Sequence, residues 1–347
     1  MNGIGGLQMN QIITLDRNTI MSVLTLKDVI EGIEQVYKWK EQGQTDTFPL
    51  VFHEFDPGIA DMDIKSGHIK PAGIYGMKFL SFFLPNIKNG EAPLSATISL
   101  FDDKTGYPTA ILEGSCITGM RTSAAAAIGA KYLARKESEV LTVIGAGHQC
   151  IYQVAALCEV MPNLKKVYIH DPINHENALN KERNVRALIK EELNLDLNEN
   201  ILVQAKENLE EAIRESDIVV TITPSKKALV KREWVKEGTH FSCIGSDMSG
   251  KQEIDPKILK DALVYVDDMN QCVNVGEVEL AIKEGIIQES HIIGEIGCAM
   301  LDSSKARTND TQITVFDSTG IAIQDLITAQ KAVELAKKQN KGNMITL

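Results

Sequence analysis

The chain has 347 residues, 44% of them hydrophobic and 24% charged, which is typical of a globular protein of one or two domains. Its formal net charge of −11 disfavours nucleic acid or an anionic membrane surface as a partner. No apolar run approaches the ~20 residues of a membrane span. Residues 1–10 lack a basic stretch followed by an apolar one, so we expect no signal peptide, a mobile start and a cytoplasmic protein.

The N-terminal third of the sequence predicts a helix followed by a strand-rich region. The first helix begins at Thr25, with Asp28 in its first turn as a cap partner, and runs toward Gly43. Residues rich in β-branched and aromatic side chains then predict strands at 49–55, 73–83 and 94–101. A turn at 102–106 leads into a partner strand at 108–112, and an alanine-rich helix follows at 115–133.

From Val140 onward, strands and helices alternate along the chain. Apolar runs predict strands at 140–145, 166–170, 201–204, 217–223, 239–244, 263–266 and 312–316, with helical patterns between most of them. This alternation predicts a parallel, doubly wound α/β sheet, the Rossmann fold. A last helix at 321–338 needs a partner for its apolar face. We therefore predict a Rossmann domain over residues 131–319 and a discontinuous α+β domain from residues 1–130 with 320–347.

A glycine turn after the first of these strands carries the strongest functional signal. Gly145 permits a tight turn, and Gly147 lets the backbone approach a pyrophosphate at the following helix N-terminus. Asp171 ends the next strand, where a carboxylate accepts ribose hydroxyls and repels a 2′-phosphate, so the pattern predicts NAD rather than NADP. The alternative is an ordinary strand–turn–helix. The predicted cofactor-binding residues of the turn are Gly145, Ala146, Gly147, His148 and Gln149.

Two cations are candidates for binding a substrate anion. Lys78 lies inside an apolar strand, where it either faces solvent or binds an anion. Arg121 stands among small residues near a helix start and could bind a carboxylate through two parallel hydrogen bonds. The alternative for Arg121 is a surface arginine that caps a turn.

The loop after the strand at 239–244 leaves the carboxyl end of a parallel sheet, where ligands bind in such folds. Its Asp247 is a candidate general acid/base, and Lys251 is a candidate substrate-binding residue; both are well placed near the nicotinamide. Alternatively, Asp247 caps the helix that begins near Ile254, although Asp255 followed by Pro256 is a better cap. Thr221 and Thr223 end another strand and are predicted to line the cofactor cleft.

The six cysteines are scattered without a Cys-x-x-Cys pair, which favours reduced, buried thiols. The seven histidines do not cluster with them at ligand spacing, so we predict no metal site.

These stretches together resemble the ornithine cyclodeaminase/mu-crystallin family over about residues 16–335. The matching stretches are Gly76-Met-Lys78, Asp102-x-x-Thr-Gly-Tyr-Pro108, Arg121-Thr-Ser-Ala-Ala, Gly145-Ala-Gly-His-Gln149, Gly245-Ser-Asp247-x-x-Gly-Lys251-x-Glu253 and Phe316-Asp-Ser-Thr-Gly320-x-Ala-x-Gln-Asp325. Their order and spacing would not be expected in a generic Rossmann dehydrogenase.

The resemblance implies a homodimeric enzyme that acts on the Cα–N bond of an amino acid. By family analogy, Lys78 and Arg121 bind the substrate carboxylate, and Asp247 is the acid/base that faces the substrate nitrogen. The turn from Ser318 to Gly320 lies near the nicotinamide. Asp171 is similar to the NAD-using members, and the Asp247 loop resembles the cyclodeaminase and alanine dehydrogenase branches more than mu-crystallin.

Two departures from the family pattern concern the substrate. The family usually has a carboxylate-binding arginine just after a proline in the first strand, but Pro49 is followed by Leu-Val-Phe-His53. Ornithine cyclodeaminases also have a glutamate before a Met-Pro pair, whereas Lys70-Pro71 here follows Gly67-His68. His68, His53 or Lys70 could take these roles, or the substrate differs.

The leading hypothesis from the sequence is an ornithine cyclodeaminase-type reaction, in which NAD takes and returns a hydride as L-ornithine becomes L-proline and ammonia. The alternative within the family is a ketimine or imine reductase or an amino-acid dehydrogenase. A third hypothesis is a binding protein without catalysis, similar to mu-crystallin. The co-occurrence of Lys78, Arg121 and Asp247 favours an enzyme.

Overall fold

The computed structural model describes residues 11–346, so the expectations for residues 1–10 lie outside the described part. The described chain forms two compact units. The first comprises the residues up to Gly32, Gly43–Thr118 and the chain from Ala322 onward. The second comprises Ile33–Gln42 and Gly119–Ile321. Residues 33–42, 119–130 and 320–321, which the prediction assigned to the first domain, thus group with the second unit.

The strands of residues 11–346 are β1 Gln11–Leu15, β2 Thr45–Thr47, β3 Val51–Asp56, β4 Ala60–Ile69, β5 Ile74–Phe83, β6 Leu94–Asp102, β7 Pro108–Glu113, β8 Val140–Ile144, β9 Lys166–His170, β10 Leu202–Ala205, β11 Ile218–Thr221, β12 Lys226–Val230, β13 His240–Cys243, β14 Gln252–Ile254, β15 Ala262–Val266, β16 Ile292–Glu295, β17 Ile313–Asp317 and β18 Asn343–Thr346.

The α-helices of the same residues are α1 Arg17–Val23, α2 Leu26–Glu41, α3 Ser115–Leu133, α4 Gln149–Val160, α5 His175–Leu193, α6 Leu209–Glu215, α7 Pro256–Asp261, α8 Met269–Val275, α9 Val278–Lys283, α10 Ile296–Leu301 and α11 Ala322–Lys338. Short 3₁₀ turns cover Lys70–Ala72, Leu84–Asn89, Arg232–Trp234, Glu289–His291 and Ser303–Lys305. No helix among these residues is both long and apolar enough to cross a membrane.

The first unit is built on a mixed sheet in the order β18-β1-β7-β6-β5-β4-β2, with β3 also paired to β4. The pairs from β3 through β7 are antiparallel, and β1 pairs in parallel with β7. Helix α11 packs on β4, β5 and β6. Gly76 allows this close approach, because a Cβ there would lie 2.4 Å from the Ser99 carbonyl oxygen and 3.0 Å from Leu326 Cδ2.

The second unit contains an all-parallel sheet in the order β10-β9-β8-β11-β13-β17-β15-β16. The strand order reverses between β8 and β11, which is the point where ligands bind in doubly wound sheets. Near-continuous apolar strands are expected because helices cover both faces of such a sheet. This arrangement confirms the predicted Rossmann architecture.

Capping residues define two helix starts that the sequence predicted. Thr25 Oγ1 donates to Asp28 Oδ2 at 2.5 Å, and the Asp28 N–H donates to Thr25 Oγ1 at 3.2 Å, so α2 begins as expected. Asp255 accepts from the Lys257 N–H at 2.9 Å and caps α7. Asp247 therefore does not serve as that cap.

The six cysteines carry free thiols, and all except Cys158 are buried. Burial raises the pKa of Cys150 and of Cys158 to about 12, so both are protonated thiols at neutral pH. The structure thus places these cysteines as unpaired thiols, most of them in the interior, as the sequence predicted.

Candidate functional site

The glycine turn after β8 is shaped for close approach of a ligand. Gly145 has φ +118°, and a Cβ there would lie 3.0 Å from Ile222 Cγ1 and 3.1 Å from the Ile222 carbonyl oxygen. Its N–H donates to the His170 carbonyl at 2.8 Å, which ties the turn to the end of β9. A side chain at this position would strain the backbone and crowd the place where the strand order reverses between β8 and β11.

Gly147 opens the space in front of α4. No atom would lie within 4 Å of a Cβ at Gly147, and both Gly147 and His148 are exposed. The His148 side chain makes no capping bond to the helix, so N–H groups of its first turn are directed outward. An accessible helix N-terminus beside an open glycine backbone fits the two phosphates of a dinucleotide. Cys150 is fully buried at the position that often holds a third glycine.

Asp171 borders this turn on its other side. Its Oδ2 accepts from the Ala146 N–H at 3.2 Å, and its Oδ1 accepts from the N–H groups of Ile173 and Asn174 at 3.1 and 2.9 Å. Partial burial opposes ionisation, but these backbone donors hold the pKa of Asp171 below its ordinary value. Its carboxylate is charged at neutral pH and available to ribose hydroxyls.

The predicted acid/base lies in the loop after β13. Asp247 Oδ1 is 2.5 Å from Lys251 Nζ, and the Asp247 side chain remains 47% exposed. Thr221 and Thr223 are buried at the end of the neighbouring strand β11. The structure thus brings Asp247, Lys251 and both threonines to the carboxyl edge of the second unit's sheet.

Arg121 lies beside the turn that follows β17. A Cβ on Gly320, whose φ is +77°, would lie 2.5 Å from Arg121 Nη1, so the guanidinium packs directly on this glycine. Ser318 Oγ and the Gly320 N–H both donate to Asp267 Oδ2 at 2.8 Å, which fixes the turn. Arg121 is only 6% exposed, which argues against a surface arginine.

Lys78 belongs to the first unit and is buried rather than solvated. Its side chain is 1% exposed, and Nζ lies 3.0 Å from Asp325 Oδ1 on α11 and 3.4 Å from Thr118 Oγ1 on α3. A buried ammonium needs such partners, since an isolated charge is costly in the interior. The sequence motif ending in Asp325 therefore supplies the counter-ion of Lys78.

Lys65 is a further cation that sequence reasoning missed. It is directly opposite Lys78 in the antiparallel register of β4 and β5, so both side chains lie on the same face of the sheet. Asp63 precedes it on that face, and both are half-buried. A polar residue repeating every second position in β4 was the available signal.

His68 lies in β4 between two carboxylates. Its Nε2 is 3.1 Å from Asp103 Oδ2 and its Nδ1 is 3.5 Å from Asp46 Oδ2. These contacts give His68 a structural role, since it joins β4 to the hairpin turn after β6. They account for the residue without any contact to a substrate. Lys70 and His53 are the other residues proposed to replace the family's arginine or glutamate; Lys70 pairs with Asp46 at 3.2 Å, and the His53 ring packs on Phe55. Within residues 11–346, no group of three or more His, Cys, Asp or Glu could hold a metal ion.

The fold and the glycine turn together define a dinucleotide-binding protein of the doubly wound α/β class. The sequence pattern of one family, the ornithine cyclodeaminase/mu-crystallin family, matches residues 10–340. The chain belongs to this family.

Proteins similar to this chain over nearly their whole length support the assignment. Alanine dehydrogenase of Archaeoglobus fulgidus is 33% identical over 96% of this chain and 98% of its own. A solved archaeal alanine dehydrogenase dimer with bound NAD superimposes with a TM-score of 0.87, at 33% identity over 97% of this chain and 99% of that one.

Two further solved structures are similar to this chain. Iminosuccinate reductase of Paracoccus denitrificans, in complex with NAD⁺, has a TM-score of 0.87 and 32% identity over 97% of this chain and 100% of that one. Δ¹-Pyrroline-2-carboxylate reductase of Thermococcus litoralis, in complex with NADH and L-proline, has a TM-score of 0.86 and 31% identity over 96% and 99%.

Proposed function

We propose that this chain is an NAD-dependent oxidoreductase that interconverts an α-amino acid and its α-imino acid. The single observation that carries the proposal is the combination of an open glycine turn with an ionised Asp171 and a half-exposed Asp247 at one sheet edge. The relatives named above support it, since they are an amino-acid dehydrogenase and two imine reductases whose structures contain NAD, NAD⁺ or NADH.

Each proposed residue has a chemical role that fits its surroundings. Bound NAD would supply the hydride acceptor at the substrate Cα. Lys78 and Arg121 bind the substrate carboxylate, because both are cations held away from water by neighbouring groups. Asp247 holds or releases a proton at the substrate nitrogen, and Lys251 beside it keeps its carboxylate oriented.

The remaining cofactor contacts follow from the turn geometry. Gly145, Ala146, Gly147, His148 and Gln149 would hold the pyrophosphate, and Asp171 the ribose of the adenosine half. Thr221, Thr223, Ser318 and Gly320 would line the nicotinamide half. Because Asp171 carries a negative charge, a 2′-phosphate would be repelled, so the cofactor is NAD.

Lys65 is the best candidate for the role of the family's missing arginine. Two lysines directly opposite each other on one sheet face repel, which costs stability unless anions lie nearby. Asp325 offsets the charge of Lys78, Asp63 lies on the same face, and a substrate carboxylate would add a further anion there. His68 is a weaker candidate, because carboxylates already face both of its ring nitrogens.

The residues expected near the substrate favour a net redox reaction over cyclodeamination. The stretch before Lys70-Pro71 lacks the glutamate of ornithine cyclodeaminases, and its His68 is a strand-to-turn tie. Ornithine cyclodeamination is the second candidate, favoured by family membership and by the Asp247-x-x-Gly-Lys251 loop. The mu-crystallin-like binding role remains the third.

One experiment separates the three. The protein is incubated with L-ornithine and a trace of NAD, and with a panel of L-amino acids and excess NAD, while proline, ammonia and NADH are measured. NADH that accumulates in step with consumption of an amino acid supports the oxidoreductase. Proline and ammonia without net NADH would establish cyclodeamination instead, and no turnover with any substrate would favour the binding role.

We also propose a homodimer in a reducing, cytoplasmic setting. The first unit exposes apolar side chains on one face of β3 and β5, including Val51, Phe55 and Phe79 at 51%, 58% and 40%. Contiguous exposed apolar side chains on a sheet face commonly mark an interface. The archaeal alanine dehydrogenase dimer supports the same state. Sedimentation equilibrium at micromolar concentration tests it, since a monomer mass would contradict it.

A further inference from the structure

Glu253 ties together the ends of two neighbouring strands at the edge where Asp247 lies. Its Oε1 accepts from the Thr223 N–H at 2.6 Å and from Thr223 Oγ1 at 2.7 Å, and its Oε2 accepts from the Gly245 N–H at 3.0 Å. Thr223 follows β11 and Gly245 follows β13. The Glu253 side chain is fully buried, so these three donors take the place of water around its carboxyl group.

Gly245 is required for this arrangement. A Cβ at this position would lie 2.5 Å from Glu253 Oε2 and 2.3 Å from the Thr223 carbonyl oxygen. Any side chain would therefore push the loop away from the carboxylate. The glycine and the glutamate act as one unit at the start of the Asp247 loop.

A second and a third carboxylate hold the rest of the loop. Ser246 Oγ donates to Glu277 Oε2 at 2.5 Å, and Glu277 Oε1 also accepts from the N–H of Glu253 at 2.9 Å. Glu279 accepts from Ser249 Oγ at 2.5 Å and from the Gly250 N–H at 2.8 Å. Buried carboxyl groups thus hold residues on both sides of Asp247, while Asp247 itself remains half-exposed.

Holding the loop with buried carboxyl groups costs free energy, because these groups lose their hydration. Desolvation, followed by the nearby charge of Glu277, raises the pKa of Glu253 to about 8, and burial also raises the pKa of Glu277. Asp317, another buried carboxyl whose pKa is raised, lies in the same region. Apolar side chains would pack there at lower cost, so the retained carboxyls point to a requirement for loop position.

We propose that Glu253 and Glu277 are positioning residues that hold the 245–251 loop so that the Asp247 carboxyl meets the substrate nitrogen. The inference rests on the proposed function, in which Asp247 is the acid/base. Neither glutamate reaches the substrate; each acts through the backbone of the loop. Replacing either glutamate should therefore lower kcat more than it weakens the binding of NAD or of the substrate.

The test is Glu253→Gln, which keeps one carbonyl oxygen for Thr223 but presents an NH₂ group to the Gly245 N–H. We expect kcat to fall about 10- to 100-fold, because displacing a catalytic group by about 1 Å has that effect. The KM for the amino acid and the Kd for NAD should stay within about threefold. Glu277→Gln provides a second variant with the same expected pattern if the first folds poorly.

The matched control is Asp217→Asn. Asp217 is also a buried carboxylate that accepts backbone N–H groups, from Glu139 and Val140 at 2.8 and 3.1 Å, but it precedes β11 at the opposite edge of the sheet. Its loss should lower the melting temperature and leave kcat of the folded enzyme unchanged. If both variants lower stability and neither lowers kcat, Glu253 is merely structural and the proposal is overturned.

A double variant sharpens the result. If Glu253 acts through Asp247, then Asp247→Asn with Glu253→Gln should be no slower than Asp247→Asn alone. A further loss equal to the full effect of Glu253→Gln would overturn the proposal. Hydrogen exchange at the Gly245 and Gly250 amides must also accelerate in Glu253→Gln. Should the unmodified protein turn over no amino or imino acid, the proposed function fails, and this exchange result alone decides the positioning claim.

Discussion

At the scale of single residues, Asp171 combines two tasks. Its carboxylate accepts three backbone N–H groups, from Ala146, Ile173 and Asn174, and so joins the glycine turn to the loop after β9. The same carboxylate is only partly buried, so a ribose hydroxyl could reach it. Under the proposed function, one side chain thus both shapes the turn and selects the cofactor.

Replacing Asp171 by asparagine should relax the choice of cofactor. The amide keeps an acceptor for the backbone but lacks the charge that repels a 2′-phosphate, so the ratio of Kd for NADP to Kd for NAD should fall at least about tenfold. Titration calorimetry with both nucleotides measures the ratio. Asp196→Asn, at an exposed acid of the same unit, is the control. An unchanged ratio in the Asp171 variant would rule out a selecting role.

Asp247→Asn should remove the acid/base while preserving the cofactor site. We expect kcat to fall by about 100-fold or more, with the Kd for NAD unchanged within about twofold. Asp255→Asn is the matched control, because Asp255 caps α7 and asparagine caps helices equally well. Steady-state kinetics and nucleotide titration are the measurements, and activity that survives in Asp247→Asn would exclude the assigned role.

The sequence could predict site residues whose roles depend on local chain geometry. Gly145, Gly147 and Asp171 belong to one strand–turn–helix–strand unit, so their spacing alone indicated a nucleotide. Lys65 and Glu277 could not be found in this way. Lys65 matters through a cross-strand register, and Glu277 through a contact with Ser246, 31 residues earlier. Such roles depend on which elements meet in space.

At the scale of elements, the buried pair of Lys78 and Asp325 joins β5 to α11 within the first unit. Both side chains are at most 1% exposed, and Gly76 lets the helix come close enough for the 3.0 Å contact. Burying two charges is expensive, so the pair contributes little net stability while making each partner necessary to the other.

Asp325→Leu should therefore lower the free energy of unfolding by about 3 kcal/mol, because it removes the carboxylate that faces the buried ammonium. The double variant Lys78→Met with Asp325→Leu should recover most of that loss yet remain inactive. Urea unfolding monitored by circular dichroism measures both. An Asp325→Leu variant as stable as the unmodified protein would show that the pair does not have this role.

Burial of Glu253 should make stability depend on pH between about pH 4.5 and pH 8. The pKa of Glu253 is raised to about 8 in the folded chain, so its protonated form favours folding below its ordinary pKa and this contribution is lost as pH rises through about 8. The melting temperature should fall as pH rises from about 5 to about 8, and the fall should be smaller in Glu253→Gln. Equal slopes for the two proteins would contradict this origin.

Strands and helices with a regular pattern of apolar residues could be predicted from the sequence. Elements that carry charged residues at partly buried positions could not. Seven of the eight strands of the parallel sheet were found within one or two residues because both faces are covered and their runs are apolar, but β16 at its edge was missed. Strand β4 was missed, since Asp61, Asp63 and Lys65 alternate along its length and hide a strand that pairs on both sides. Strand β1 and helix α1 were missed too.

At the scale of the whole molecule, two compact units carry different parts of the proposed chemistry. The second unit holds the glycine turn, Asp171, Arg121 and Asp247, and the first holds Lys78. Similarity to characterised relatives extends over nearly the entire chain, so both units and not only the nucleotide fold resemble amino- and imino-acid enzymes.

Transfer of hydrogen from the substrate Cα to NAD tests the central claim most directly. L-amino acids deuterated at Cα, among them alanine, aspartate, proline and ornithine, are incubated with the protein and NAD, and the nicotinamide is analysed by mass spectrometry. The account predicts that deuterium from at least one amino acid appears in NADH, and that Asp247→Asn abolishes the transfer. Absence of deuterium in the cofactor from every amino acid, with NAD shown to be bound, would contradict it.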